Sequence, residues 1–578
     1  MTHSPESTAE GPGSLAMLML RVALAVTLCG CDSAFETDVP GVADPSLSET
    51  VQLTALEVQT ILAQAATEAA ASGMPSTIAV VDHEGVVLGV LQMEGAAVKT
   101  RVSGGGTGGL EGIVYDDSSA SAAITKAGTA AFFSTQGNAF TTRTAGFIVQ
   151  EHFPPQVDPS GGGPLFGVQL SNLRCSDVDR GPAPHSAAQS NLPIGLSADP
   201  GGLPLYKNGV AVGGIGVEGD GVYTVNSGQP ATTPTVEETI AAAGTMGFSA
   251  PAPIRGDNIF VDAIQLVFAN AEPPTSQSTT PYSTFATTGK EIAKPAAGGT
   301  SPFMPRTLNN IPGTVPSQFA TTFNAGATPA SGGLTVEDVT LVLGQAAATA
   351  STTRAAIRQP AGTAARVTIS VVDAGGAILG IFRTNDAPIF GFDVSVQKAR
   401  TAAFFSGASA GRLLTQASLT SYVDAAATDG LALNGTVAFS TRAVGFLSQP
   451  IFPPGAIAPD SNGPFSQPLG TWSVFNTGLQ LDEYLKAPGA SLFAASCAGT
   501  ALPGLRNGIT LFAGGFPLYK NGALVGAIGV SGDGIDQDDL IAFTGHAGFE
   551  APTTMRSDTV RVRGVALPYV VFPRHPSR

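Results

Sequence analysis

Cysteine, tryptophan and charge are all scarce in this 578-residue chain: four Cys, one Trp and only 12% charged residues. The four cysteines form neither a CxxCH haem-attachment motif nor any Cys/His spacing for zinc, which excludes a zinc-ribbon or c-type cytochrome reading. The 28 Lys and Arg residues are spread thinly against 44 acidic ones, for a net charge of -16. Phosphate binding needs clustered cations, so nucleic acid is excluded as a partner, and the acidity serves solubility. No apolar run approaches the roughly 20 residues of a membrane-spanning helix. What is abundant is glycine (71), proline (42) and apolar side chains (43%). That profile belongs to a β-rich secreted protein with many turns rather than to a helical cytosolic one.

The chain says the same thing twice. GGLPLYKNGVAVGGIGVEGDG at 201–221 returns as GGFPLYKNGALVGAIGVSGDG at 514–534, with 16 of 21 positions identical. IAVVDHEGVVLGV from Ile78 pairs with ISVVDAGGAILGI from Ile369, and ITKAGTAAFFS from Ile124 with VQKARTAAFFS from Val396. The period far exceeds the roughly 20 to 50 residues of a solenoid repeat, so each copy is expected to close its own core and the pair to act as a built-in dimer.

At the N-terminus, MLMLRVALAVTLCGC from Met17 has one positive charge at Arg21, a short apolar run and then Leu28-Cys29-Gly30-Cys31. This resembles a bacterial lipoprotein signal over 1–31, with Cys31 the lipidated residue and 32–52 a tether, and it implies an exported, membrane-anchored protein in the periplasm or at the cell surface. A single membrane-spanning helix is the other reading, and its apolar run is too short. Cys175 and Cys497 then fall one per copy. Export would permit a disulfide between them, but sequence leaves their separation open.

Each copy carries the same order of expected elements. Leu53 opens a helix on which Leu53, Leu56, Ile61, Leu62 and Ala65 recur near helical spacing, with Thr54 and Glu57 as a capping box; Leu334, Thr335 and Glu337 match them. A strand pair turns at Asp82 to Gly85, the Phe-Phe-Ser helix follows, and Tyr206-Lys207-Asn208-Gly209 and Tyr519-Lys520-Asn521-Gly522 predict type I′ hairpins. Ala-rich helices over 236–244 and 537–545 and strands over 259–268 and 559–572 close the copies. The expected fold is α+β with mainly antiparallel sheets. Domains fall at 53–270, with an insertion at 135–200, and at 334–572, with an insertion at 407–513. The Pro/Thr/Ser/Gly-rich stretch 271–333 reads as a linker.

The motif set VVD-x-x-G, K-A-x-T-A-A-F and LYKNG-x-x-VG-x-IGVSGDG, present in order in both copies, resembles the GlcG/HbpS family of haem-binding and haem-degrading domains. That resemblance implies a profilin-like fold, oligomerisation, and haem binding with an iron-handling or sensory role outside the cytoplasm. The candidate cofactor-binding stripe is Lys126, Thr129 and Phe133, repeated as Lys398, Thr401 and Phe405, at i, i+3 and i+7 on one helix face. Haem wants stacking walls, a cation for its carboxylates and an axial donor, which this stripe partly offers. The same residues also suit a purely structural role, with Thr bonding its own helix, Phe in the core and Lys at a solvated edge.

No histidine is shared between copies. His83 (opposite Ala374), His546 (opposite Thr245) and His152 are the weak metal-ligand candidates, against a surface or helix-end role. Lys207 and Lys520 read as turn residues, Asp82 and Asp373 as carboxylates bonding their turns, and Asp533, Asp536, Asp538 and Asp539 as helix caps. Arg143 and Arg442 read as buried pairs fixing the insertions to the core. No nucleophile, base and orienter set recurs in both copies, so catalysis ranks last. Two alternatives stand beside haem binding: a cofactor-free structural or partner-binding module, and a haem-degrading enzyme.

Overall fold

The computed structural model describes residues 51–577 except 105–106, 116–117, 151–152, 155–161, 174–175, 177–191, 225–231, 262, 328–331, 455–460, 469–470, 472–477 and 489–501. Cys31, Cys175, Cys497 and His152 lie outside the described residues. Mixed helix and antiparallel sheet make up the described chain. No described helix is long and apolar enough to cross a membrane.

Two sheets share one strand order. In the first, Val87–Gln92, Thr77–Asp82, Val210–Glu218 and Gly202–Lys207 lie side by side; in the second, Ile378–Thr384, Val367–Asp373, Ala523–Gly532 and Gly515–Lys520 do the same. Every neighbouring pair within these two sheets is antiparallel. The bulges recur too, between Val80 and Val81 and between Val371 and Val372, then between Leu205 and Tyr206 and between Leu518 and Tyr519. A bulge bends a strand at a fixed point, so matching bulges give the two sheets the same local curvature.

The local signals explain most elements. Thr54 accepts from the Glu57 backbone while Glu57 reaches back, starting the helix Ala55–Ala71. In the second half the reciprocal partner of Thr335 is Asp338 and not Glu337, because only the third helical residue can fold back onto the cap. Asn208 and Gly209, like Asn521 and Gly522, have positive φ, as a type I′ turn requires. On one face of each sheet the Phe-Phe helix, Ser118–Phe133 or Phe390–Phe405, lies close across the long strand. Gly216 and Gly529 permit this: a Cβ on Gly216 would sit 2.1 Å from the Ala123 carbonyl oxygen, and one on Gly529 1.9 Å from that of Ser395. On the opposite face the first and last helices of each half pack together.

Two expectations are corrected. The runs 259–268 and 559–572 are not sheet strands but two-residue hairpins, Phe260–Val261 with Ile264–Gln265 and Arg561–Val562 with Val565–Ala566. Positive φ at Ala263, Arg563 and Gly564 folds each run back on itself. The stretch 271–333 is also more than a linker. Lys290–Ala293 adds an edge strand to the first sheet, and Phe303–Leu308 with Ile311–Pro316 extends the second. Pro305 sits on the edge strand Phe303–Leu308, where a missing donor costs least, and Ile311–Pro316, which carries Pro312 and Pro316, pairs with the sheet only at Gly313 and Thr314.

The insertions cross over. Asn172 N donates to Asp393 Oδ2 at 2.7 Å and Gln397 Nε2 to the Leu170 carbonyl at 3.1 Å, so the first insertion lies on the second half's Phe-Phe helix. Leu481 and Tyr484 of the second insertion share a core with Ala122 of the first half's helix. Phe133 and Phe390 meet between the halves with ring centroids 4.5 Å apart.

Candidate functional site

Lys126 is wholly buried, and its Nζ lies 2.8 Å from Asp199, 2.9 Å from Glu218 and 2.7 Å from Glu237. The helix supplies the lysine, the end of the insertion Asp199, the long strand Glu218 and the last helix Glu237. Burial alone would lower the lysine's pKa, but the three carboxylates outweigh it and raise it well above the ordinary value. Burial pushes all three carboxyls up, Glu237 to about 7, against the attraction of Lys126. The carboxylate spacing, within 4.8 Å of one another, would suit a metal ion. The ammonium already stands among them, so the arrangement is a filled cation site.

Lys398 is equally buried but differently held. Its Nζ bonds Asp538 Oδ2 at 2.8 Å and the Val530 carbonyl at 2.7 Å, and sits 5.0 Å from the centre of the Phe512 ring. Burial lowers its pKa and Asp538 does not restore it. By register along the repeat, Phe512 stands where the first half has Asp199, and Ser531 where it has Glu218.

The threonines bind protein. Thr129 Oγ1 donates to the Thr125 carbonyl at 2.8 Å and accepts from Ser197 N at 2.7 Å; Thr401 Oγ1 donates to Gln397 at 2.8 Å and accepts from Thr510 N at 3.0 Å. Phe405 is sealed among Phe404, Phe439 and Phe465. His83 Nε2 lies 3.2 Å from the Ser134 carbonyl, while His546 bonds the Phe543 carbonyl and packs on the Phe516 ring, burial lowering its pKa. The structure thus places Lys126, Thr129, Lys398, Thr401 and Phe405 inside the fold, and brings neither described histidine to them.

The other candidates are also ion-paired or turn-bound. Arg143 grips Glu238, and Arg442 holds Asp536 and Asp539. Asp533 pairs with Arg358 and Asp538 with Lys398, so the acidic cluster holds cations; the cap of its helix, Gly534, has no side chain to offer. Lys207 and Lys520 reach back to Glu57 and Asp338 of the capping boxes. Asp82 accepts from Val86 N, and Asp373 from Gly375 N and Ala377 N.

Phe133 alone of the stripe reaches an open space. A cleft of about 870 Å³ runs between the halves, with Phe133, Phe140, Phe390 and Leu266 among its apolar walls and Phe260 and Phe572 also lining it. Phe260 is 57% exposed, Phe572 48% and Val571 beside it 43%, an apolar surface that a soluble protein rarely leaves bare. Its polar lining includes Asp536, Gln537 and Asp538, and also Arg354, Arg574 and His575. Sequence reasoning missed these three, because they lie some 220 residues apart and outside every repeated motif.

Residues 476–547 match the family model described as Haem degrading protein HbpS-like. A 57-residue stretch is 40% identical to an uncharacterized 15.0 kDa protein in the dhaT-dhaS intergenic region of Citrobacter freundii. That match takes in 10% of this chain and spans 36% of the relative's length. Among solved structures, protein ORFY of Klebsiella pneumoniae is 20% identical, covering 35% of this chain and 94% of its own, with a TM-score of 0.21. A PduOC complex with haem is 19% identical, covering 38% and 98%, with a TM-score of 0.19.

Proposed function

We propose that this chain is a haem-binding protein of the HbpS type, made of two duplicated domains that face each other as a built-in dimer and used for haem or iron binding or sensing rather than turnover. The observation that carries it is the aromatic cleft between the halves. Its volume lies within the roughly 300 to 1,000 Å³ of small-molecule sites, its walls are flat rings, and its rim offers two cations and an imidazole. Those are the three things a flat apolar dicarboxylate with an iron needs. Bound there, haem would supply a redox-active iron, and the chain's own residues would desolvate the ring and fix its carboxylates. The HbpS-like match in the second half supports the same reading. Titration of the purified protein with hemin is expected to give a saturable Soret band; a spectrum equal to that of free hemin at every ratio removes the proposal.

The lipoprotein-like segment ending at Cys31 supports the reading of an exported protein anchored to membrane through that cysteine. Cells fed labelled palmitate are expected to label the wild-type chain and not Cys31→Ser; equal labelling of both rejects the anchor.

A further inference from the structure

The rim of the cleft is built to face something charged. Arg358, Arg143 and Arg442 each hold a carboxylate, whereas half-buried Arg354 and exposed Arg574 have no ion pair among the described residues and present their guanidiniums to the cleft. Asp536 and Asp538 also line the cleft; Asp536 shares Arg442 with Asp539, and Asp538 pairs with Lys398. The segment carrying His575 does not hang free: Arg354 N donates to the Pro576 carbonyl at 2.8 Å, and Ser577 forms an antiparallel bridge with Thr353. Two backbone contacts therefore tie the segment of His575 beside Arg354, and both residues line the cleft together with Phe133 and Phe390.

Resting on the haem reading, we propose that His575 is the axial donor to the iron, and that Arg354 and Arg574 receive the two carboxylates. A neutral imidazole is a competent iron ligand and His575 is exposed at the cleft, so nothing has to unfold to present it. Arg suits carboxylate because its planar fork makes two parallel bonds. Of the Lys-Thr-Phe stripe only Phe133 takes part, as an apolar wall; Lys126, Thr129, Lys398, Thr401 and Phe405 are spent on the fold.

The test uses the full-length protein with two probes, hemin and metal-free protoporphyrin IX. His575→Ala is expected to change the Soret and visible bands of the hemin complex and to weaken hemin about tenfold, while protoporphyrin IX binding, read by fluorescence, stays within about twofold. Arg354→Ala with Arg574→Ala is expected to weaken both probes about tenfold. All three side chains lie at the surface of the cleft, so far-ultraviolet circular dichroism should be unchanged. If the wild type binds hemin and His575→Ala leaves spectrum and affinity untouched, the ligand assignment falls while haem binding stands. If the wild type binds neither probe, both fall.

Discussion

The two buried lysines occupy the same place in two sheets of the same order, yet one is surrounded by three carboxylates and the other by one carboxylate, a carbonyl and a ring. Position is therefore set by the backbone and charge by the neighbours. In both halves the long side chain bridges the Phe-Phe helix to the last helix. In the first half it also meets two further buried carboxyls, Asp199 and Glu218, whose charged forms its ammonium favours against burial. The second half has Phe512 and Ser531 at the positions of two of those acids, and a buried cation over a ring is held by fewer counter-charges. The bridge is what the two halves share; the acid cluster is what the first adds.

The sharpest way to break this comparison is to remove each lysine. Lys126→Met strands three buried carboxyls and is expected to cost about 3–5 kcal/mol. Lys398→Met strands only Asp538, which burial already pushes up to about 7 and which can take up a proton, so its cost is expected to be about 1–3 kcal/mol. Urea denaturation of both variants measures the difference, and equal costs would mean that the acids around Lys126 do not depend on it. The smallest effect should come from rewriting the first half as the second, with Asp199→Phe and Glu218→Ser. Buried carboxyls whose folded pKa is raised hold a proton that the unfolded chain has released, so stability is greatest below the unfolded pKa near 4 and falls as pH rises towards 7. Deleting Asp199 and Glu218 removes part of that decline; Glu237 and Asp538 keep the rest. The difference in denaturation midpoint between pH 5 and pH 8 is expected to shrink in the double variant, and an unchanged difference would show that these two acids do not carry the pH dependence.

Much of the architecture is legible in the residues because it rests on local chemistry. Thr54 with Glu57 and Asn208 with Gly209 act over a few positions, and the structure shows each one. That Arg143 and Arg442 are ion-paired is legible too, in a stretch with few other charges, whereas their partners Glu238, Asp536 and Asp539 are not. The added strands 290–293, 303–308 and 311–316 are not, because Pro305, Pro312 and Pro316 read as breakers and alternation is weak. The acid cluster left a trace that passes unnoticed in one copy: Glu218 ends an otherwise apolar strand where its counterpart is a serine. The cleft left none. Its walls come from residues 133, 260, 354, 390 and 575, which only the packing of the two halves brings together.

The way one segment serves both sheets moves the practical frontier between the halves. Gly298 N still bonds Leu53 of the first half, and the second sheet begins at Phe303. A fragment ended at 270 would bare the amide row of Val87–Gln92 and invite stacking with other molecules, whereas one carried to about 300 keeps that row covered. Anyone trimming this chain into single domains should cut in those few residues after Gly298. Even there, each piece would leave behind the arm with which its neighbour clasps it.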